Sequence, residues 1–134
     1  MTEAQEQELL SETLDIMRIQ HYSLRNEESI KNMGYLMKRK RMGWKSGVSD
    51  LMILIPAERS SVKRALILFV ELKKSKKKLL RASSRGEVGD LVSQNKATAP
   101  QMEFIRQINE VKDVQGFVCH GADHALEFIN SFLN

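Results

Sequence analysis

Two carboxylates and one lysine stand at the ends of two apolar runs that follow each other in the chain. Asp50 opens the run 50–55, while Glu71 and Lys73 close the run 66–73. Both runs are typical of buried β-strands, and period-2 alternation places Glu71 and Lys73 on one face. A hairpin through the polar residues 56–63 returns Glu71 to the neighbourhood of Asp50. The spacing therefore predicts that the three ionisable side chains converge.

Buried carboxylates that face each other repel, so such a pair requires a proton, a cation or water. A divalent metal meets this requirement, because Mg²⁺ takes hard oxygen ligands and keeps positions for water and phosphate oxygens. Lys73 on the same face is suited to orient a water or help to deprotonate it for attack on phosphorus. The alternative is structural, since aspartate is common in turns and a Glu-x-Lys strand end is typical of a solvated edge.

The order of these motifs resembles the PD-(D/E)xK nuclease superfamily and, within it, the small stand-alone VRR-NUC proteins typical of phages. The likeness extends over nearly the whole chain, apart from an insertion near residues 74–99. Ser49 stands where the superfamily usually has proline. The segments that carry the likeness are the acidic start of the first helix at residues 3–7, Gly43-x-x-x-Gly47 before Asp50, Glu71-Leu72-Lys73, Gln101, and the closing strand 116–121.

This resemblance implies a fold and an activity. The implied fold is α/β, with a restriction-endonuclease-like core in which helices flank a mixed central β-sheet, in one domain of residues 1–134. The implied activity is that of an endodeoxyribonuclease that depends on Mg²⁺, with Mn²⁺ as a substitute. Stand-alone relatives suggest a homodimer that cuts branched DNA such as Holliday junctions, because two sites across a two-fold axis suit two symmetric cuts.

The resemblance also assigns roles to individual residues. Asp50, Glu71 and the Leu72 carbonyl would bind the metal, and Lys73 would place the attacking water. Gln101 would steady the arrangement, although it also stands where it can complete the capping box of its own helix. The first helix of the family supplies a further carboxylate, which matches Glu3 best, with Glu6 close behind. His21 and Asn26 match a turn near the family's active site, but the glycines of that turn are missing here.

The formal net charge is only +4, yet the charges are strongly segregated. Residues 1–16 are acidic without a base, whereas residues 31–45 and 73–85 are basic without an acid. Two basic blocks that flank the proposed site suit a phosphate backbone, although basic runs are often only solvated surfaces. The residues predicted to bind nucleic acid are Lys38, Arg39, Lys40, Arg41, Lys45, Lys74, Lys76, Lys77, Lys78, Arg81 and Arg85.

Local patterns predict the order helix, helix, strands, helix, strand, helix. Thr2 with Gln5, and Thr98 with Gln101, are capping boxes that open the first and third helices. Residues 21–26 are predicted to be a linker, and Gly43 ends the second helix. The remaining predictions are a helix over 27–42, a mobile basic loop over 74–99 that orders on nucleic acid, a strand over 115–120 and a helix over 122–133.

Length and composition bound the remaining possibilities. A chain of 134 residues with a hydrophobic fraction of 42% suits one globular domain. No apolar run approaches the roughly 18 residues of a membrane span, so we expect no membrane partner and a cytoplasmic protein, in the host cytoplasm if a phage encodes it. Cys119 is expected to be core packing, and His120 and His124 lack the third ligand that a zinc site needs.

Two other functions remain open at this level. The first is a DNA-binding module that uses the same basic segments without catalysis. The second is a nuclease that acts on plain duplex or single strands.

Overall fold

A computed structural model of the chain describes residues 1–24, 32–75 and 96–134. The central element of this part is a four-stranded sheet of β1 (Gln20–Ser23), β2 (Leu51–Ile55), β3 (Leu66–Lys73) and β4 (Val114–His120). The strands lie in the order β1-β2-β3-β4. The first three run antiparallel to their neighbours, whereas β3 and β4 run parallel. The predicted mixed sheet is therefore confirmed.

Helices cover both faces of this sheet, as predicted. They are α1 (Glu3–Ile16), α2 (Met33–Arg41), α3 (Ala99–Ile108) and α4 (Ala122–Asn130), and a short 3₁₀ turn at Ala57–Arg59 follows β2. α1 and α4 bury Leu10, Leu14, Ala125 and Ile129 against one face. α3 connects the parallel strands and packs on the other face, where the Phe69 and Phe104 rings lie nearly perpendicular with their centres 5.4 Å apart.

The main core lies on the face covered by α1 and α4. Alternate residues of β2 and β3 point into it, as the period of a strand requires, and Cys119 of β4 joins them. Cys119 is fully buried and burial raises the pKa of its thiol to about 12, so the prediction that it is core packing is confirmed. The opposite residues of β3, including Glu71 and Lys73, face α3.

Three helix ends lie where the capping residues and Gly43 predicted them. Both predicted capping boxes are present, at Thr2 with Gln5 and at Thr98 with Gln101. α2 ends in a Schellman motif, in which the Trp44 amide donates to the Arg39 carbonyl and the Gly43 amide to the Lys40 carbonyl. Gly43 has a φ of +101°, which a side chain disfavours, so this glycine ends the helix as predicted.

The prediction of a linker over residues 21–26 was wrong for its first part. Residues 20–23 form β1, the edge strand, and pair with β2. Their four side chains are polar or amphipathic and give no apolar alternation, so the pairing depends on the neighbouring strand rather than on their own pattern. Consequently a strand separates the first two helices. Asn26 lies outside the described residues.

Two helix boundaries also differ from the predictions. α2 begins at Met33, where the Asn32 side chain accepts a hydrogen bond from the Tyr35 amide, and residues 27–31 lie outside the described part. α4 ends at Asn130 rather than at 133, and Leu133 instead forms a bridge with Ser60. Most of the predicted mobile loop, residues 76–95, is likewise outside the described part. The described helices include none long and apolar enough to cross a membrane.

Gly47 allows α3 to approach the sheet closely. Its φ is +90°, and a Cβ placed there would lie 2.5 Å from the carbonyl carbon and oxygen of Pro100 and 2.8 Å from the Gln101 nitrogen. Any side chain at this position would push the first turn of α3 away from β2, the strand that follows Gly47.

Replacing Gly47 by alanine should destabilise the protein by about 2–5 kcal/mol, because left-handed strain and overpacking add. Gly43→Ala is the matched control, since Gly43 also has a positive φ but no atom lies within 4 Å of its added Cβ. This control should lose only about 1–2 kcal/mol. Urea unfolding of both variants measures the difference, and equal losses would contradict the close approach.

Candidate active site

Asp50 and Glu71 meet where β2 begins and β3 ends. Leu51 pairs with Val70 across the two strands, so Asp50, one residue earlier, extends the register opposite Glu71. The Asp50 Oδ2 atom accepts a hydrogen bond of 2.7 Å from the amide of Leu72, the residue after Glu71. The two predicted carboxylates therefore lie side by side at one end of the sheet.

Glu71 is the most unusual side chain in this group. It is a carboxylic acid with only 3% of its surface exposed. Its Oε1 atom accepts a hydrogen bond of 2.6 Å from Gln101 Nε2 and lies 3.7 Å from Lys73 Nζ. Its Oε2 atom is buried and has no hydrogen-bond partner among the described residues. One oxygen is thus held in place, while the other lacks the partner that a buried oxygen needs.

The surroundings of Glu71 raise its pKa from 4.5 to about 8. Burial is the largest cause, because it removes water from the charged form, and the negative charge of Asp50 is the next. Lys73 lowers the pKa, and Glu3 raises it again. Without added positive charge, the folded protein therefore holds Glu71 as the neutral acid at neutral pH.

Lys73 follows Glu71 on the same face of β3, as the alternation predicted. Only 7% of its surface is exposed, an uncommon environment for a lysine. The Lys73 carbonyl accepts a hydrogen bond of 3.0 Å from the Gly121 amide beside β4. Because backbone groups alternate sides along a strand, the Leu72 carbonyl points the other way, towards the side of Asp50. The Leu72 carbonyl thus lies on the side of Asp50, and its role as a metal ligand stays a prediction of the resemblance.

Gln101 makes the capping contact and also contacts Glu71. Its side-chain oxygen accepts from the Thr98 amide at 2.8 Å and completes the capping box. Its side-chain nitrogen donates to Glu71 at the same time. The first turn of α3 therefore fixes the amide that in turn fixes the Glu71 carboxylate.

The two acids of α1 have different positions. The Glu6 Oε2 atom accepts a hydrogen bond of 2.8 Å from the Ala122 amide, at the first residue of α4. Glu6 therefore anchors α4 and is occupied by a structural contact. Glu3 is partly exposed, and its charge contributes to the raised pKa of Glu71. The structure thus brings Glu3 rather than Glu6 into electrostatic reach of the site.

The remaining predicted residues lie on β1, on or after α2, directly after β3, or outside the described part. His21 is on β1 and contacts Ser11 Oγ at 2.7 Å and the Ile19 carbonyl at 2.9 Å, so its ring links β1 to α1. The described basic residues are exposed or partly exposed on α2 and the segments after it and after β3, namely Lys38, Arg39, Lys40, Arg41, Lys45 and Lys74. The others, Lys76, Lys77, Lys78, Arg81 and Arg85, lie outside the described residues.

Two further residues belong to this region although no role was predicted for them. Ser49 is 1% exposed, and its hydroxyl has no partner among the described residues. His120 pairs with Lys73 in the parallel register of β3 and β4. The only available signal for His120 was its position at the end of a strand, which gives no register by itself.

The donor set fits a magnesium ion. Two carboxylates and one carbonyl are hard oxygen ligands, and Mg²⁺ typically takes one or two carboxylates together with water and substrate phosphates. Among residues 1–24, 32–75 and 96–134, no three His, Cys, Asp or Glu side chains form a group that could hold a metal alone. Any ion here would therefore depend on Asp50, Glu71, backbone, water and substrate. The buried Glu71 oxygen without a partner is the position that such an ion would satisfy.

The raised pKa of Glu71 predicts a pH-dependent stability. Between pH 4.5 and 8 the folded chain holds a proton that the unfolded chain releases, so stability is greatest below this range and falls as pH rises through it. Relative to Glu71→Gln, the free energy of unfolding of the parent should fall by on the order of 3 kcal/mol between pH 5 and pH 8. Urea unfolding in EDTA measures this, and a difference that does not vary with pH would contradict it.

Comparisons with known proteins bear on the fold. No family model matches the chain, and no curated protein does. The chain is similar to a solved structure of a VRR_NUC domain protein, with 20% sequence identity and a TM-score of 0.60. The similarity covers 98% of this chain and 88% of that one. It shows a shared fold along nearly the whole chain, and the α/β fold expected from the VRR-NUC resemblance is confirmed.

Proposed function

We propose that this protein is a Mg²⁺-dependent endonuclease that hydrolyses phosphodiester bonds in DNA. The observation that carries the proposal is the buried Glu71 carboxylate. One of its oxygens is fixed by Gln101 and Lys73, and the other has no hydrogen-bond partner among the described residues. Burying such a group is costly, so a site of this kind is a candidate for function rather than for stability. The fold shared with a VRR_NUC domain protein supports the same reaction class.

In this proposal Asp50, Glu71 and the Leu72 carbonyl hold the ion. When bound, it supplies Lewis acidity and positive charge next to the scissile phosphate. Gln101 holds the Glu71 rotamer, and the Leu72 amide holds Asp50, so the carboxylates are oriented before substrate arrives. The Lys73 ammonium orients the attacking water and stabilises negative charge on the phosphate oxygens. Glu3, at the edge of the site, is an additional acceptor for that water.

The basic segments that flank Asp50 and Glu71 in the sequence suit a phosphate backbone. α2 has no buried residue, and its last turn presents four consecutive cations, Lys38 to Arg41. The Arg39 guanidinium lies 5.7 Å from the centre of the Tyr35 ring. The surface of α2 therefore carries an aromatic group beside its cations. Lys45 and Lys74 extend the positive charge on either side of Asp50 and Glu71 in the sequence. Such charge binds DNA through its phosphates, irrespective of base sequence.

Branched DNA is the proposed substrate, and a homodimer the proposed active form. The support is the motif order shared with stand-alone VRR-NUC proteins, because two identical sites related by a two-fold axis suit paired cuts in a symmetric junction.

Lys73→Ala should reduce Mg²⁺-dependent cleavage by about 100-fold or more, since the ammonium acts directly beside the reacting phosphate. Cleavage of a four-way junction, a flap, a plain duplex and a single strand measures both activity and substrate preference. Lys112→Ala is the matched control, because this exposed lysine precedes β4 at the opposite end of the sheet. Unchanged activity in Lys73→Ala would refute the assigned role.

The same assay separates the alternatives. A DNA-binding module without catalysis would show a salt-sensitive gel shift that persists in Asp50→Ala, and the parent would not nick any substrate in Mg²⁺. A nuclease for plain duplex or single strands would cut these at least as fast as the junction. Either result would replace the proposal for branched DNA.

Removing two of the α2 cations should reduce the salt dependence of DNA binding. In the double variant Lys40→Ala/Arg41→Ala, the slope of log K against log salt should become shallower by about 1–2, because each phosphate contact contributes about 0.9. Fluorescence anisotropy of duplex DNA in EDTA at several salt concentrations measures the slope. Lys112→Ala serves again as the control, and an unchanged slope in the double variant would exclude α2 from the interface.

A further inference from the structure

A cavity of about 400 Å³ lies next to the candidate active site, between the first turns of α1 and α4. It adjoins the site through the backbone, since Gly121 donates to the Lys73 carbonyl and His120 pairs with Lys73 in the sheet. None of the functions assigned above uses this space. The residues of its wall that matter here are Glu6, Leu9, His120, Gly121, Asp123 and His124.

The charged side chains of the wall do not favour an anion as the occupant. Two carboxylates, Glu6 and Asp123, line the cavity, and no lysine or arginine of the described chain does. Leu9 and the two imidazoles add apolar and aromatic surface. The volume is within the usual range of small-molecule sites, which is about 300–1,000 Å³. A neutral, flat group with hydrogen-bond donors on its edge matches these properties.

His124 forms a fixed aromatic wall. Its Nδ1 atom accepts a hydrogen bond of 3.0 Å from the His120 amide. The neutral ring therefore carries its proton on Nε2, which becomes a donor. The His124 ring also packs against Phe128 at 4.9 Å and lies within 21° of parallel to the His120 ring. The orientation of this imidazole in the cavity wall is therefore already set, which reduces the entropy lost when a planar ligand binds beside it.

We propose that this cavity binds one unpaired nucleobase of the DNA, a proposal that rests on the nuclease function proposed above. A nucleobase is flat and uncharged, and it stacks on aromatic side chains whatever its sequence. The Asp123 carboxylate suits the exocyclic amino group of cytosine or adenine. The phosphates would lie on the Lys73 side, and the base would turn away from them into the cavity. Among branched DNAs, junctions included, the protein would then prefer those with an unpaired nucleotide at the branch.

Binding of two flap DNAs in EDTA tests this inference without cleavage. One flap carries a single unpaired adenine at the branch, and the other carries an abasic site at the same position. The parent should bind the adenine flap about 5- to 100-fold more tightly, which is the usual contribution of one stacked base. Fluorescence anisotropy gives both affinities and hence the base-to-abasic ratio.

Variants then locate the effect in the cavity. His124→Asn removes the ring but retains an acceptor for the His120 amide, and it should bring the ratio close to one without changing the affinity for abasic DNA. Leu9→Ala, on the opposite wall, should reduce the ratio independently of that hydrogen bond. Glu127→Ala is the control, because it is exposed on the same helix and does not line the cavity.

The outcomes separate the two proposals. Three outcomes would each overturn the nucleobase subsite. They are a base-to-abasic ratio of one in the parent, a ratio equal to the parent's in both His124→Asn and Leu9→Ala, and no DNA binding at all. Cleavage of a junction by a parent with a ratio of one would overturn the subsite alone. A cavity-dependent ratio in a protein that cuts nothing in Mg²⁺ would support the subsite and overturn the nuclease.

Discussion

The burial of the Glu71 carboxylate is the constraint on which the rest of the site depends. A carboxylic acid in this environment is disfavoured unless its oxygens are satisfied, and residues 1–24, 32–75 and 96–134 satisfy only one of them, through Gln101 and Lys73. The Gln101 amide reaches Glu71 because α3 begins close to the sheet, and that approach requires the bare backbone of Gly47. A glycine distant in sequence thus determines the surroundings of the carboxylate.

On the opposite face of the sheet, α1 and α4 also help to fix the end of β3. α1 and α4 cover a continuous apolar core, and the Glu6 carboxylate joins them through the Ala122 amide. The neighbouring Gly121 amide in turn holds the Lys73 carbonyl. The end of β3 is therefore fixed from both faces, although the segments that fix it come from the beginning and the end of the chain. This convergence gives the site rigid support where polar groups alone would be unstable.

The same convergence explains why the site and the neighbouring cavity differ in character. On the α3 side, the carboxylates of Asp50 and Glu71 lie beside a nearly buried lysine, so the local chemistry suits a cation and a phosphate. At the junction of α1 and α4, carboxylates meet imidazoles and apolar groups without lysine or arginine in the described wall. A polymer with charged phosphates and neutral flat bases has parts that match both environments.

The sequence by itself determined the strands β2 and β3, the face shared by Glu71 and Lys73, and the capping boxes, because these follow from periodicity and from contacts within a few residues. Only the tertiary structure revealed β1, whose four side chains carry no apolar pattern and which pairs with β2 as an edge strand. Only the tertiary structure distinguished the roles of two acids of α1. Glu6 anchors α4, whereas the charge of Glu3 raises the pKa of Glu71. The tertiary structure also showed that Gln101 caps its helix and holds Glu71 at once. Each of these depends on which groups from distant parts of the chain lie close together, and that distance is set by packing rather than by neighbours along the chain.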